Sequence, residues 1–254
     1  YITVEVKCPT GTLYVTSDKS YPSTTHDPYN SPIQLIGGEN TIYALAVGEN
    51  GLVSKLSIFG YVVGGVIEEV TLTDSAVDAT VRQLLGKEPT DALLSSDLWT
   101  ITSLTLPSEV TQLTDMKAFP YLRSLSIENA NLTSLNGISA LSALTELTIR
   151  NTILTASDVD LIGTLANLQK LTLENCSLSS IANLAGAQKL VDLDLSGNII
   201  REISSLVTMS NLQRLDLSRN AVIDLTNLAG LTNLVELDVS YNSVPSLAPL
   251  VNCT

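Results

Sequence analysis

Along the second half of the chain, apolar residues recur as L-x-x-L-x-L at a nearly fixed interval. Copies open at Leu122, Leu144, Leu168, Leu190, Leu212 and Leu234, spaced 22, 24, 22, 22 and 22 residues apart. That period marks a solenoid, in which each copy is one supersecondary unit that buries its apolar face only against a neighbour. Within a copy the apolar offsets hold, as at Leu212, Leu215, Leu217, Val222, Leu225, Leu228 and Leu231. The alternation in L-x-L predicts a short parallel strand with its leucines inward and the residues between them on a concave face. The rest of the copy then turns back through a tight, 3₁₀-rich convex side. A degenerate copy at Ile101, Leu104 and Leu106 brings the count to about seven rungs. In the copy of 24 residues, Thr155-Ala-Ser-Asp158 with Asp160 predicts a capped short α-helix in place of the 3₁₀ turn.

The first 65 residues follow another pattern. Ile2 to Lys7, Thr12 to Thr16, Ile33 to Ile36, Thr41 to Val47 and Val53 to Val63 are β-rich runs. Pro9-Thr-Gly, the proline-bearing stretch from Ser17 to Pro32, Gly37-Gly38 and Glu49-Asn-Gly51 separate them, as in a small antiparallel sandwich. Gly64-Gly65 reads as a hinge. Beyond it, Asp74 or Ser75 can cap a helix whose apolar face is Val77, Val81, Leu84 and Leu85 and which Gly86 ends. Such a helix suits the open end of a solenoid, which otherwise exposes apolar side chains and unpaired strand edges.

Two resemblances rest on these residues. Tyr14 to Ser20, Tyr29 to Ile33 and Ile42 to Ser54 resemble the immunoglobulin-like module at the C-terminal end of chitobiases and β-hexosaminidases, with Lys19 where that family usually has Gly. The helix from Asp74 to Gly86 and the 22-residue copies resemble the N-terminal cap and leucine-rich repeats of internalin-like proteins. Together they imply an α/β solenoid with parallel strands on the concave face and a mostly 3₁₀ or loop convex side, preceded by a small all-β immunoglobulin-like sandwich. The expected domains are residues 1–65, a linker and helical cap over 66–100, and repeats over 101–254. The resemblance further implies an exported, non-enzymatic bacterial protein that recognises a protein or surface ligand at the cell envelope. The alternative is an accessory region of a larger carbohydrate-active enzyme.

Charge narrows the partners. A formal net charge of −13 and a pI near 4.3 oppose binding to nucleic acid or anionic lipid and favour a basic partner. The longest uncharged apolar run, Ile58 to Ile67, is far shorter than the roughly 20 residues of a membrane span, so no membrane insertion is expected. The chain begins at Tyr1, so any export signal is expected upstream. His26, the only histidine, lies in a proline-rich loop away from the repeats, leaving no base for Ser-His-Asp or Cys-His catalysis. Ser157-Asp-Val-Asp160 lacks the Gly and Glu of a calcium loop. No cofactor or metal is expected, and Cys8, Cys176 and Cys253 read as unpaired packing residues.

Stacked columns carry the remaining information. Position nine of the copies holds Ala130, Thr152, Cys176, Asn198, Asn220 and Asn242. The internalin resemblance implies a structural ladder there, whose Asn side chains satisfy backbone groups freed at the strand exit. Column three runs Ser124, Glu146, Lys170, Asp192, Arg214 and Glu236, and column seven opens Glu128, Arg150 and Glu174; their alternating signs predict self-pairing. Column five ends in Asp194, Asp216 and Asp238. Stacked about 4.8 Å apart, these carboxylates repel by roughly 0.9 kcal/mol per neighbouring pair even in bulk water. They are either repeat consensus, hydrogen-bonded along the ladder, or a docking strip for a cationic group. In the second case Arg214, Arg219 and Tyr241, the one aromatic of the concave strands, stand beside it.

Overall fold

The computed structural model describes residues 3–251 apart from 9, 19, 36, 37 and 64–66. The hinge reading of Gly64-Gly65 and the position of Cys253 therefore lie outside the described residues. The chain divides into two compact units, Tyr1–Ile67 and Glu68–Thr254.

The first unit contains β1 (Thr3–Val4), β2 (Thr12–Thr16), β3 (Ile33–Gln34), β4 (Gly38–Val47) and β5 (Ser57–Val63). β1 and β3 form one antiparallel pair, and β2, β4 and β5 a three-stranded antiparallel sheet with β4 in the middle. Among the described residues, five strands in two small sheets are fewer than the seven of an immunoglobulin sandwich. Two expectations are corrected. Gly38 is not a turn residue but opens β4, paired with Val63. The run from Val53 to Val63 is not one strand: Val53 makes a lone bridge to Val47, and regular pairing resumes only at Ser57. The interruption follows the turn closed by Gly51 N–H on the Gly48 carbonyl. Glycine is required at Gly11, whose φ is +91° and where a Cβ would lie 2.4 Å from the Val47 carbonyl oxygen.

The second unit opens with α1 (Ser75–Leu85), capped at Asp74, whose carboxylate accepts from the amides of Ala76 and Val77. Gly86 ends it in the left-handed conformation, φ 64°. Val77 and Val81 are fully buried. A single turn, α2 (Ser95–Leu98), follows. Seven parallel strands then stack in chain order: β6 (Ser103–Leu106), β7 (Ser124–Glu128), β8 (Glu146–Arg150), β9 (Lys170–Glu174), β10 (Asp192–Asp194), β11 (Arg214–Asp216) and β12 (Glu236–Asp238). Their register is in step, aligning Leu104, Leu125, Leu147, Leu171, Leu193, Leu215 and Leu237 in one column. All but Leu237 are buried, and each such side chain contributes on the order of 2 kcal/mol of hydrophobic stabilisation.

The chain returns through 3₁₀ turns at Thr114–Ala118, Ile138–Ala140, Ala182–Gly186, Ser204–Thr208, Thr226–Leu228 and Ala248–Leu250. The longer copy instead carries α3 (Ala156–Gly163), where Thr155 and Asp158 form a reciprocal capping box.

Buried carboxylates tie the cap to the repeats. The second oxygen of Asp74 accepts from the Thr111 amide and hydroxyl and from the Gln112 amide. Asp115 accepts from the Thr73 amide and hydroxyl and from the Asp74 amide. Burial, the largest single influence on Asp74, pushes its pKa up, but the hydrogen bonds from Thr111, Val77 and Ala76 outweigh it and hold the carboxyl below its ordinary value. Among the described residues no strand pairs beyond β12, and in the last copy Leu247 and Val251 are 60% and 79% exposed.

Candidate functional site

At the strand exits the ladder is built from individual hydrogen bonds. Asn198 Oδ1 accepts from the amides of Cys176 and Leu178, while its Nδ2 donates to the carbonyls of Leu173 and Leu195. Asn220 accepts from Ile200 and donates to Leu195 and Leu217. Asn242 accepts from Val222 and donates to Leu217 and Val239. Each Asn bridges its own copy and the preceding one, satisfying backbone that the turning chain frees from the sheet. Earlier copies manage less. Thr152 accepts from the Ala130 amide and donates to the Arg150 carbonyl, and the Cys176 thiol donates weakly to the carbonyls of Ile149 and Glu174. Burial pushes that thiol up to about 11, so it remains protonated. Cys8 is half-buried and unpaired, its thiol on the Thr10 carbonyl.

One residue before the ladder, at position eight, every copy turns left-handed: Asn129, Asn151, Asn175, Gly197, Arg219 and Tyr241 have φ of 55°, 50°, 53°, 70°, 57° and 55°. Asn and Gly tolerate that region, whereas Arg and Tyr have no such preference. Sequence reasoning missed this column, although its signal, three Asn and a Gly in register, was present. It also missed a second ladder just before the opening leucine. There Asn167, Asn211 and Asn233 donate to the carbonyls of Ser142, Gln188 and Ser210 at 2.8–2.9 Å.

On the strand face, charges pair across neighbouring strands, mostly in the earlier copies. Arg150 reaches Glu128 at 3.0 Å and Glu174 at 2.8 Å. Desolvation disfavours its charge, but hydrogen bonds to both glutamates prevail and raise its pKa. Lys170 pairs with Glu146 at 3.0 Å, and Arg214 with Asp192 at 2.8 Å.

Column five lacks the bonding along the ladder that one of the two alternatives drawn from the sequence expects. Asp194, Asp216 and Asp238 do not bond along the ladder: each accepts from the amide two residues on, Ser196, Ser218 and Ser240, at 2.8–2.9 Å. This local bond is the Asx arrangement that starts a turn, and it fixes one oxygen of each carboxylate at the strand exit. For Asp238 the Ser240 amide and hydroxyl lower the pKa against a smaller effect of burial. Arg214, which stands beside this column in the sequence, is bound to Asp192 in column three. Arg219 lies over the Tyr241 ring with its guanidinium carbon 5.0 Å from the centroid.

An open groove of about 530 Å³ runs across β10, β11 and β12, lined by Asp192, Asp194, Asp216, Glu236 and Asp238 with Arg214. Five carboxylates against one guanidinium make it strongly electronegative. Arg219 and Tyr241 are exposed at the strand-exit edge of the same copies. Among the described residues no three His, Cys, Asp or Glu side chains are grouped as a metal site requires, and no helix is long and apolar enough to cross a membrane.

A family model of two leucine-rich repeat copies matches residues 210–252, and the second unit carries leucine-rich repeats. Among solved structures, internalin C2 from Listeria monocytogenes is 27% identical with a TM-score of 0.58, over 71% of this chain and 90% of that one. Internalin F from the same organism is 19% identical with a TM-score of 0.50, over 71% of this chain and 73% of that one. The repeat unit is thus internalin-like in fold, a scaffold of the protein-interaction type. No curated protein matches the chain.

Proposed function

We propose that this chain is a non-enzymatic recognition module of a bacterial cell surface or secretion, in which the strand face of the last three copies binds a protein partner through a basic group. The observation that carries the reading is the groove over β10 to β12, where Asp194, Asp216 and Asp238 each present one oxygen not committed to the Ser196, Ser218 or Ser240 amide. The earlier copies neutralise their own face through Arg150 and Lys170; the last three leave a surplus of negative charge that a cationic side chain offsets. The similarity to internalins supports export and protein binding, and the turn-rich antiparallel first unit, with its chitobiase-like motifs, supports a spacer role.

The test is capture of partners by the full chain, followed by affinity measurement with Asp194→Asn/Asp216→Asn/Asp238→Asn. Wild-type binding weakens as salt rises toward and beyond 0.1 M, where the screening length is about 10 Å, and the triple variant loses both affinity and most of that salt dependence. Unchanged affinity and salt response would remove this face from consideration.

A further inference from the structure

We infer that the stacked Arg219–Tyr241 pair is a preformed clamp for an isolated carboxylate on the protein partner, so that the partner presents an acidic group at the edge of the groove as well as a basic one over its floor. The inference rests on the reading of the last three copies as the recognition face and adds a contact of opposite sign to it.

Three independent features converge on these two residues. The first is the backbone. Position eight is left-handed in all six copies, and the earlier four use Asn or Gly. Arg219 and Tyr241 adopt the same conformation without the side chain that tolerates it, and strain of this kind, held by the surrounding fold, concentrates at functional positions. The Arg219 amide is fixed on the Ser240 carbonyl at 2.9 Å, so the conformation is enforced by the sheet.

The second is pairing. On the strand face Arg150, Lys170 and Arg214 each hold a carboxylate of a neighbouring copy. Arg219, by contrast, forms no ion pair among the described residues and rests on the Tyr241 ring. A guanidinium stacked on a ring keeps its N–H edge free and its rotamer fixed, which suits two parallel hydrogen bonds to one carboxylate. The ordering that binding would otherwise require is already in place.

The third is the setting. Tyr241 is 76% exposed, and Ile199 and Ile223, two and four positions further along the neighbouring copies, are 60% and 58% exposed. Exposed Tyr and Arg on a face that also exposes apolar side chains are the composition of an interface hot spot. The five carboxylates of the adjoining groove repel polyanions, which selects a single acidic side chain next to an apolar one over phosphate chains or sulfated polymers.

The test is a nuclear magnetic resonance titration of the full chain with three probes: acetyl-Phe-Glu-Leu-amide, its Gln counterpart and acetyl-Lys-Leu-Lys-amide. The Glu peptide shifts the Arg219 side-chain N–H and the Tyr241 signals, with the Gln peptide about tenfold weaker, as the loss of a charge-assisted bidentate contact implies. Arg219→Lys keeps the charge but loses the response. Arg219→Asn and Tyr241→Asn lose it too while their melting temperatures hold or rise, which separates binding from a structural role. Equal responses to Glu and Gln, shifts located elsewhere, or a retained response in Arg219→Lys would overturn the clamp. If the Lys peptide alone perturbs the last three copies, the clamp fails and the acidic groove stands; if neither charged peptide does, both fail.

Discussion

The copies that open at Leu122, Leu144 and Leu168 and those that open at Leu190, Leu212 and Leu234 share one backbone but divide its tasks in opposite ways. The earlier three have a makeshift ladder, Ala130, Thr152 and Cys176, and a settled surface: Glu128, Arg150 and Glu174 pair, Glu146 and Lys170 pair, and Asn occupies each left-handed position. The later three have a complete Asn ladder and an unsettled surface, with stacked aspartates, an arginine outside any described ion pair and a tyrosine in backbone geometry that neither favours. Interior regularity accompanies exterior departure. A solenoid permits this because each copy contacts only its neighbours, so stability can be concentrated beneath the surface that recognition strains.

The comparison breaks first at the ladder. Asn198 is 5% exposed and satisfies three backbone groups of the preceding copy and one of its own. Asn198→Ala leaves them buried without partners and is expected to lower unfolding stability by roughly 3 kcal/mol. Thr152→Val removes one accepted and one donated bond and is expected to cost about 1 kcal/mol. Urea denaturation of both variants measures the gap; equal losses would mean that the two halves rely on their ladders alike.

The next largest effect lies at the N-terminal end. Asp74 caps α1 and holds Thr111 and Gln112 at once, and Asp74→Ala is expected to cost about 2 kcal/mol through the cap and the orphaned amides. In Asp158, burial again pushes the pKa up and is outweighed by hydrogen bonds from the Thr155 hydroxyl and the Leu135 and Thr155 amides, so it too is lowered. Depressed carboxylates stabilise the fold fully above the unfolded-state value near 4 and progressively less as pH falls through their lower folded-state values. Stability should therefore fall on acidification below about pH 4, with a shallower slope in Asp74→Asn, as followed by circular dichroism.

Much of this architecture was legible in the sequence, because burial repeats: every leucine of the strand column lies where the L-x-x-L-x-L copies put it, the longer copy included, and Thr155 with Asp158 announced α3. The site was legible only as a row of residues. Which oxygen of Asp194, Asp216 or Asp238 is committed, and to what, depends on the turn after the strand, and Arg219 and Tyr241 do not by themselves announce its conformation, which shows only in the Asn and Gly stacked in register with them. Column three was legible as well: its alternating signs foretold the pair that the register of β10 on β11 makes between Asp192 and Arg214. In the first unit, with few buried apolar side chains, alternation located strands but not their ends.

A smaller effect sharpens the contrast in surface electrostatics. Arg150→Ala removes two exposed ion pairs in series and is expected to lower stability by about 1 kcal/mol at low salt and by less at high salt. Asp194→Asn/Asp216→Asn/Asp238→Asn should do the reverse with salt: the relief of repulsion is largest when screening is weakest, so the variant gains relative to wild type as salt falls. Parallel salt responses of the two variants in thermal denaturation would refute the division between a paired and an unpaired face.

The smallest effect is the most diagnostic. At position eight the fold states its own preference through Asn129, Asn151, Asn175 and Gly197, so Arg219→Asn/Tyr241→Asn brings the last two copies to what the backbone favours. Relief of two left-handed outliers is worth on the order of 1–2 kcal/mol, while the lost contact between guanidinium and ring, exposed to solvent, removes about 0.5–1 kcal/mol. The expected balance is a gain of about 0.5–1 kcal/mol, read as a higher urea midpoint with an unchanged slope. A gain would show that these two side chains are kept against the stability of the fold, which only a task outside the fold explains. A loss beyond the value of the stacked pair would instead make Arg219 and Tyr241 structural closers of the last copies, and the difference between the two halves of the solenoid would then be one of packing alone.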